Sequence, residues 1–144
     1  MTRGGWGSKV RLMTDATGLP VACVLTQGNC NECPVFDGLP DTAARTTGRL
    51  PVRLAADRGY SADRLRRRPN ELGVGCVIPY RRTEHVADRA SVSEAAYKGR
   101  NVVERRVGRL KRMRRLGTRY EKLAANYATM LTLGMSVLYL RALA

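Results

Sequence analysis

Two acidic side chains in this sequence lie where they could bind a divalent cation. Glu104 is the single acid in residues 97–120, a stretch that also contains ten lysines and arginines. Asp57 follows residues 52–56, a short apolar run that is typical of a buried strand. Carboxylate oxygens are ligands that Mg²⁺ prefers, and lysine and arginine bind phosphate. These residue types are the ones that metal-dependent chemistry on a phosphate-rich substrate requires.

Each acid also has an ordinary interpretation. Aspartate is common at turns and helix entries, which would explain Asp57 without a ligand. Glu104 could pair with Arg100 or Arg109 on a plain surface helix, where such a pair contributes a few tenths of a kcal/mol. The residue types alone leave both interpretations open.

The charge of the chain is strongly positive and unevenly distributed. The formal net charge is +14, from 26 lysines and arginines against 12 acids. Residues 73–144 hold 15 of these bases and 5 of the acids, so most of the excess lies in the second half. A field of this density attracts phosphate backbones, which makes nucleic acid the leading partner. A solvated basic surface and contact with anionic lipid are the alternatives.

Neither a secretory leader nor a membrane span is expected. Residues 1–12 have no apolar core of the kind that a signal peptide needs. Residues 127–140 are apolar, but polar and small residues interrupt them and the run is shorter than the roughly 20 residues that span a bilayer. We expect a buried helix there, no membrane partner, and a cytoplasmic, nucleoid-associated protein.

The four cysteines match no metal-binding or disulfide pattern. Cys30 and Cys33 have the spacing of half a zinc site, but the only histidine is His85, and Cys76 stands alone. We therefore expect these three cysteines and Cys23 to be reduced thiols.

The order of the predicted elements indicates one α/β domain. The sequence predicts a β-hairpin (9–14 and 19–26), a helix (34–44), a strand (52–56), a helix with Ser61 as its N-cap, a strand (75–79), a polar loop (81–93), a helix (93–116) and an apolar helix (122–144). The strand, helix and strand between residues 52 and 79 predict a parallel crossover.

Four polar residues share one face of the predicted helix 93–116. At about 100° per residue, an arc of about 60° contains Tyr97, Arg100, Glu104 and Lys111. The opposite side carries an apolar stripe that would pack on a sheet, formed by Val102, Val103, Leu110, Met113 and Leu116. Gly99 and Gly108 flank the polar row. Because an interior glycine costs a helix about 1 kcal/mol, we expect a bulky group to approach there.

These positions resemble a known signature. The spacing Tyr97-x2-Arg100-x3-Glu104-x6-Lys111 matches the Y-R-E-K signature of DDE transposases of bacterial insertion sequences. Residues 56–60 resemble the segment that carries the second catalytic aspartate of that family. Residues 3–9 with 14–16 resemble the hairpin that follows its first strand, and residues 115–122 resemble the tail after its signature. The resemblance covers nearly the whole chain.

The resemblance implies an RNase H-like catalytic domain over residues 1–144, with a mixed sheet, flanking helices and three carboxylates that bind two Mg²⁺ or Mn²⁺ ions. Asp57 and Glu104 would be the second and third of these acids, as catalytic residues and metal ligands. The implied DNA-binding residues are Tyr97, Arg100 and Lys111, joined by Arg105 and Arg109 from the same basic stretch. The implied reaction cuts transposon ends and joins them to a target, in a dimer or together with a transposase product encoded upstream.

The sequence departs from the family's pattern at the first acid. In the family the first catalytic aspartate lies on a strand upstream of the segment that residues 3–9 resemble, and Asp15 is a poor substitute because it lies in the hairpin turn. We therefore expect the carboxy-terminal part of the catalytic domain, without its first strand and inactive by itself. The alternatives are a non-catalytic DNA-binding regulator, an inactive transposase remnant and, with less support from the few aromatic residues, an RNA-binding protein.

Overall fold

The structure, a computed structural model, describes residues 7–30, 33–80 and 97–144. The strands are β1 (Ser8–Thr14), β2 (Pro20–Gln27), β3 (Arg53–Ala55) and β4 (Gly75–Val77), and the α-helices are α1 (Cys33–Thr47), α2 (Asp63–Glu71), α3 (Asn101–Arg112), α4 (Arg114–Gly117) and α5 (Ala124–Leu143). The chain divides into two compact units. We call Met1–Cys30 with Asn101–Ala144 the hairpin unit, and Asn31–Arg100 the crossover unit.

The hairpin unit is built on the antiparallel strands β1 and β2. At the turn between them, the Asp15 carboxylate accepts hydrogen bonds from the backbone N–H groups of Thr17 and Leu19, at 2.9 and 2.8 Å. Gly18 provides the left-handed backbone of this turn, with φ of +91°, which glycine adopts at little cost. The predicted hairpin is confirmed.

Helices α3, α4 and α5 pack with one face of this hairpin. The cluster of buried side chains that joins them contains Leu110, Leu116, Tyr127, Leu131 and Leu138. From the strands, Val10, Leu12, Cys23 and Leu25 pack against this cluster. The helix predicted over residues 122–144 is present as α5, and its buried residues recur at helical spacing on one side.

The crossover unit contains the predicted strand, helix and strand. Strands β3 and β4 pair in parallel with Leu54 opposite Cys76, and α2 connects them. The Phe36 ring of α1 stacks on Tyr60, with 4.8 Å between ring centroids. The buried apolar side chains of this unit include Phe36, Leu39, Leu54, Leu65, Val74 and Ile78. The predicted crossover and the helix predicted over 34–44 are both confirmed.

Two details of the crossover unit differ from the prediction. The strand predicted over residues 52–56 is shorter and less buried than expected, because β3 has three residues, of which Leu54 is buried, and Val52 is 83% exposed. Ser61 is not the N-cap of α2. That helix starts at Asp63 after Ala62, and Ser61 is a buried residue that ends the preceding 3-10 turn Arg58–Tyr60.

The long helix predicted over residues 93–116 is also wrong, because the chain breaks it twice. Residues 99–100 form a turn, so α3 begins only at Asn101. Gly99 therefore lies in a turn, where glycine is favoured, rather than in a helix interior. Met113 has an extended backbone, with ψ of 111°, and separates α3 from α4. The polar loop predicted over 81–93 lies outside the described residues, as do residues 3–6 of the segment that resembles the family's hairpin.

The fold class is α/β, as predicted. It combines an antiparallel sheet of β1 and β2 with a parallel sheet of β3 and β4. An RNase H-like arrangement of these elements stays a prediction. Over the residues that the structure describes, no helix has both the length and the apolar character that a bilayer crossing requires.

Candidate functional site

Glu104 lies in the first turn of α3 and is exposed. Within this helix Lys111 projects from nearly the same side, about 20° away around the axis. Leu110 projects from the other side and is buried in the core of the hairpin unit. The core therefore holds one side of α3 and leaves the carboxylate of Glu104 at the surface. The predicted opposition of Glu104 and the apolar stripe holds within α3.

The surface around Glu104 is strongly basic. We call the exposed cationic residues of α3 and the start of α4 the basic face: Arg105, Arg109, Lys111, Arg112 and Arg114. Glu104 is the single acid in α3. An anionic strand bound here would meet several phosphate-binding side chains and one carboxylate.

Arg106 belongs to the same sequence run but serves a different purpose. Its guanidinium Nη2 donates a 2.9 Å hydrogen bond to the backbone oxygen of Thr17, in the hairpin turn. The side chain also lies against Gly18, where an added Cβ would be 2.5 Å from the Arg106 Nε. Arg106 therefore fastens α3 to the hairpin. The sequence signal for this role was available, since at helical spacing Arg106 lies about 40° from the buried Leu110.

Tyr97 and Arg100 precede α3. Arg100 Cζ lies 5.2 Å from the centre of the Tyr97 ring, within the range of a cation–π contact. Arg100 lies in the turn 99–100 and Tyr97 lies before that turn, so the prediction that they share the face of one continuous helix with Glu104 and Lys111 is wrong. Their contact with DNA stays a prediction.

Asp57 lies two residues beyond the carboxyl end of β3, as predicted, and is exposed. It caps the 3-10 turn Arg58–Tyr60, where its carboxylate Oδ1 accepts a 2.7 Å hydrogen bond from the Gly59 N–H. This bond orients the carboxylate and uses one of its two oxygens. The arrangement suits a structural cap and is also compatible with binding a cation.

The two predicted metal ligands belong to different units, Asp57 to the crossover unit and Glu104 to the hairpin unit. Their convergence on one cation stays a prediction. Among the described side chains, no three of the His, Cys, Asp and Glu type form a group that could hold a metal ion.

The cysteines that the structure describes are free: Cys23, Cys30 and Cys76. Burial raises the pKa of the Cys23 thiol. Burial also raises the pKa of Cys76, although the nearby positive charge of Arg66 opposes the effect. Both shifts favour the neutral thiol, whereas a thiolate is the form that binds metals.

Comparison with known proteins connects this geometry to a family. A family model described as "Transposase DDE domain" matches residues 4–139. The chain is 37% identical over 134 residues to a protein of Burkholderia cepacia named "Putative transposase for insertion sequence element IS402". The match covers 89% of this chain and 60% of that relative, so the chain spans about three fifths of the relative's length. No solved structure matches the chain significantly.

Proposed function

Because the chain belongs to the DDE transposases of insertion sequences, we propose that it takes part in metal-dependent DNA cleavage and strand transfer. The observation that carries the proposal is the placement of Glu104. It is exposed on a helix whose other charged residues are all cationic and whose other side is fixed in a core. A carboxylate beside phosphate-binding residues opposes the binding of an anionic strand, so its presence there supports a role other than phosphate contact.

In this proposal Asp57 and Glu104 are two of three acids that hold Mg²⁺ or Mn²⁺. Their oxygen donors are the type that these hard cations prefer, and both side chains are exposed. Cations held by these residues would supply Lewis-acid assistance to the attack of a water or a 3′-hydroxyl on the scissile phosphate. The basic face would hold the phosphates on either side of that position, and the α3 core contacts would keep Glu104 in place.

The finer architecture is also part of the proposal. An RNase H-like sheet contains both an antiparallel hairpin and a parallel crossover, and the two observed sheets are of these kinds. The resemblance assigns the first acid to a strand upstream of residue 3. Transposon ends and target DNA are the proposed partners, in a dimer or with an upstream transposase product, and the nucleoid is the proposed location.

The catalytic part is tested by Mg²⁺- or Mn²⁺-dependent strand transfer, using a chain extended upstream to include the strand with the first acid. We expect Glu104→Gln to reduce strand transfer by about 100-fold or more, because it replaces a charged ligand with a neutral amide. Glu71→Gln is the matched control, since Glu71 is an exposed helical glutamate that pairs with Arg67 at 3.3 Å. Equal activity of the two variants would remove Glu104 from the site.

The DNA-binding part is tested with the 144-residue chain by titrating duplex DNA at several salt concentrations. We expect affinity to fall steeply with salt, and Arg109→Gln to reduce the slope of log K against log salt by about 1, the loss of one phosphate contact. Salt-sensitive DNA binding that is indifferent to EDTA and to Asp57→Ala, with no strand transfer by the extended chain, would favour a non-catalytic regulator. Preference for structured RNA over duplex DNA would favour an RNA-binding protein.

A further inference from the structure

Tyr120 is an exposed aromatic residue within the basic part of the hairpin unit. Its side chain is 68% exposed, although it lies in a short connection between two helices. Arg114, Arg115, Arg119 and Lys122 are its cationic neighbours in sequence. An exposed aromatic ring beside several cations is the combination with which proteins bind single-stranded nucleic acid, so it fits contact with the bases.

The backbone around Tyr120 is fixed by a Schellman motif at the end of α4. The Arg119 N–H donates to the Leu116 oxygen at 3.3 Å, and the Tyr120 N–H donates to the Arg115 oxygen at 3.1 Å. Arg119 holds the left-handed position of this motif, with φ of 47°, where glycine is the usual residue. It is the one non-glycine residue of the described chain with positive φ. A strained residue of this kind points to a connection whose conformation matters.

Side chains hold the same connection. The Arg115 guanidinium forms a two-contact ion pair with Glu121, with Nη2 and Nε at 2.7 and 3.0 Å from the same carboxylate oxygen. Arg115 Cζ also lies 5.3 Å from the centre of the Tyr120 ring. Arg119 Cζ lies 5.7 Å from the ring of the buried Tyr127. Tyr120 is therefore presented by a connection that is fixed at both the backbone and the side chains.

We propose that Tyr120, supported by Arg115, is a stacking platform for an unpaired nucleobase of DNA. A base has a flat π face and can stack on an exposed tyrosine whatever its identity, and such stacking adds affinity independently of phosphate contacts. Inside a duplex the faces of the bases are covered by their neighbours, so the platform selects single-stranded or extrahelical positions. The inference rests on the proposed function, since it assumes that DNA binds the hairpin unit, and it adds a residue outside the carboxylate set and the basic face.

The experiment compares binding of the 144-residue chain to a single-stranded oligonucleotide and to a duplex, each labelled with fluorescein, at several salt concentrations. We expect Tyr120→Leu to weaken single-strand binding by about tenfold, within the range measured for loss of one stacked base, and to leave duplex binding within twofold. Tyr120→Phe retains the ring and should bind like the unmodified chain. Leu123→Ala, at a neighbouring side chain that is 66% exposed, controls for general loss of exposed apolar surface.

A second readout follows the base directly. A 2-aminopurine in the single strand should lose fluorescence on binding to the unmodified chain and to Tyr120→Phe, and should keep it with Tyr120→Leu. The salt slope should be the same for all variants, because no phosphate contact is removed. The stacking proposal would be refuted if Tyr120→Leu left the single-strand affinity unchanged, or if it lowered the single-strand and duplex affinities equally. Either result would leave the proposal that the chain binds DNA intact. If the chain bound neither the single-stranded oligonucleotide nor the duplex, both the stacking proposal and the proposed function would be refuted.

Discussion

The close approach between α3 and the hairpin turn can be tested at Gly18. An alanine Cβ at this position would lie 2.5 Å from both the Arg106 Nε and the Val102 Cγ1, well inside van der Waals contact. Gly18 also has φ of +91°, which an alanine adopts only with strain. Gly18→Ala should therefore loosen the contact that holds α3, and with it Glu104, against the hairpin.

The expected loss of unfolding free energy in Gly18→Ala has two parts, one from the backbone and one from packing. Left-handed backbone costs a non-glycine residue about 1–2 kcal/mol, and overpacking typically costs about 1–3 kcal/mol. Gly18→Ala should therefore lower the free energy of unfolding of the hairpin unit by about 2–5 kcal/mol. Gly48→Ala is the matched control, since Gly48 has φ of +75° but an added Cβ would meet nothing within 4 Å. It should show only the backbone part, about 1–2 kcal/mol.

Amide hydrogen exchange measures the stability loss caused by each substitution within the unit that contains it. Protection in β1 and β2 reports on Gly18→Ala, and protection in α1, whose end is closed by the Gly48 N–H to the Ala44 oxygen, reports on Gly48→Ala. The difference between the two losses is the contribution of the close approach. Losses that agree within about 0.5 kcal/mol would refute the idea that α3 is packed tightly against the turn.

Three further perturbations test the core and the turn of the hairpin unit. Leu138→Ala should cost about 2–5 kcal/mol in urea unfolding because Leu138 is 1% exposed, whereas Leu140→Ala, at 65% exposure, should change stability by less than about 0.5 kcal/mol. Tyr127→Phe should cost about 0.5–1.5 kcal/mol, since it removes the buried hydroxyl that donates to the Leu116 oxygen at 3.2 Å while the Arg119 N–H still donates to that oxygen; an unchanged midpoint would exclude the hydroxyl bond as a stabilising contact. Asp15→Asn should flatten the dependence of stability on acid pH, measured by unfolding at a series of pH values.

The sign of the Asp15 effect follows from its hydrogen bonds. Burial favours the neutral acid, but the Thr17 hydroxyl and the backbone N–H groups of Leu19, Thr17 and Gly18 favour the carboxylate, and together they lower the pKa of Asp15 below 3.8. A folded-state pKa below the unfolded value stabilises the fold above the unfolded pKa, and this stability is lost as the pH falls through the folded pKa. The unmodified chain should therefore lose more stability below pH 3.8 than Asp15→Asn.

The elements that could be predicted from the sequence are those with strong local signals. The turn residues Asp15 and Gly18 marked the hairpin, and the alternation of apolar runs with a helical segment marked the crossover. Asp57 was correctly placed after the carboxyl end of its strand. The errors occurred where a local pattern was extended too far, as in the continuous helix through Gly99 and Met113. Helical periodicity cannot by itself show where backbone torsions change.

In the candidate site, too, some features could be predicted from the sequence and others could not. The sequence identified Glu104 as the lone acid in a cationic stretch and placed it on the side of the helix opposite the apolar stripe. Its charge pattern did not distinguish Arg106 from the neighbouring arginines, which carry the same charge, and only the helical spacing from Leu110 marked Arg106 as different. Only the packing of α3 on the hairpin turn directs Arg106 inward and leaves Arg105 and Arg109 at the surface.

The sequence by itself determined the chemistry that is available to this protein: the excess of positive charge, the two isolated acids and the spacing that links the chain to its family. These properties reside in residue types and their separations along the chain. The tertiary structure decided which side chains make contacts within the protein and which are exposed to a partner. Arg106 bonds the hairpin turn, whereas the Tyr120 ring is exposed. That selection depends on packing between segments far apart in sequence, because only a folded core and strained connections fix the direction of a side chain.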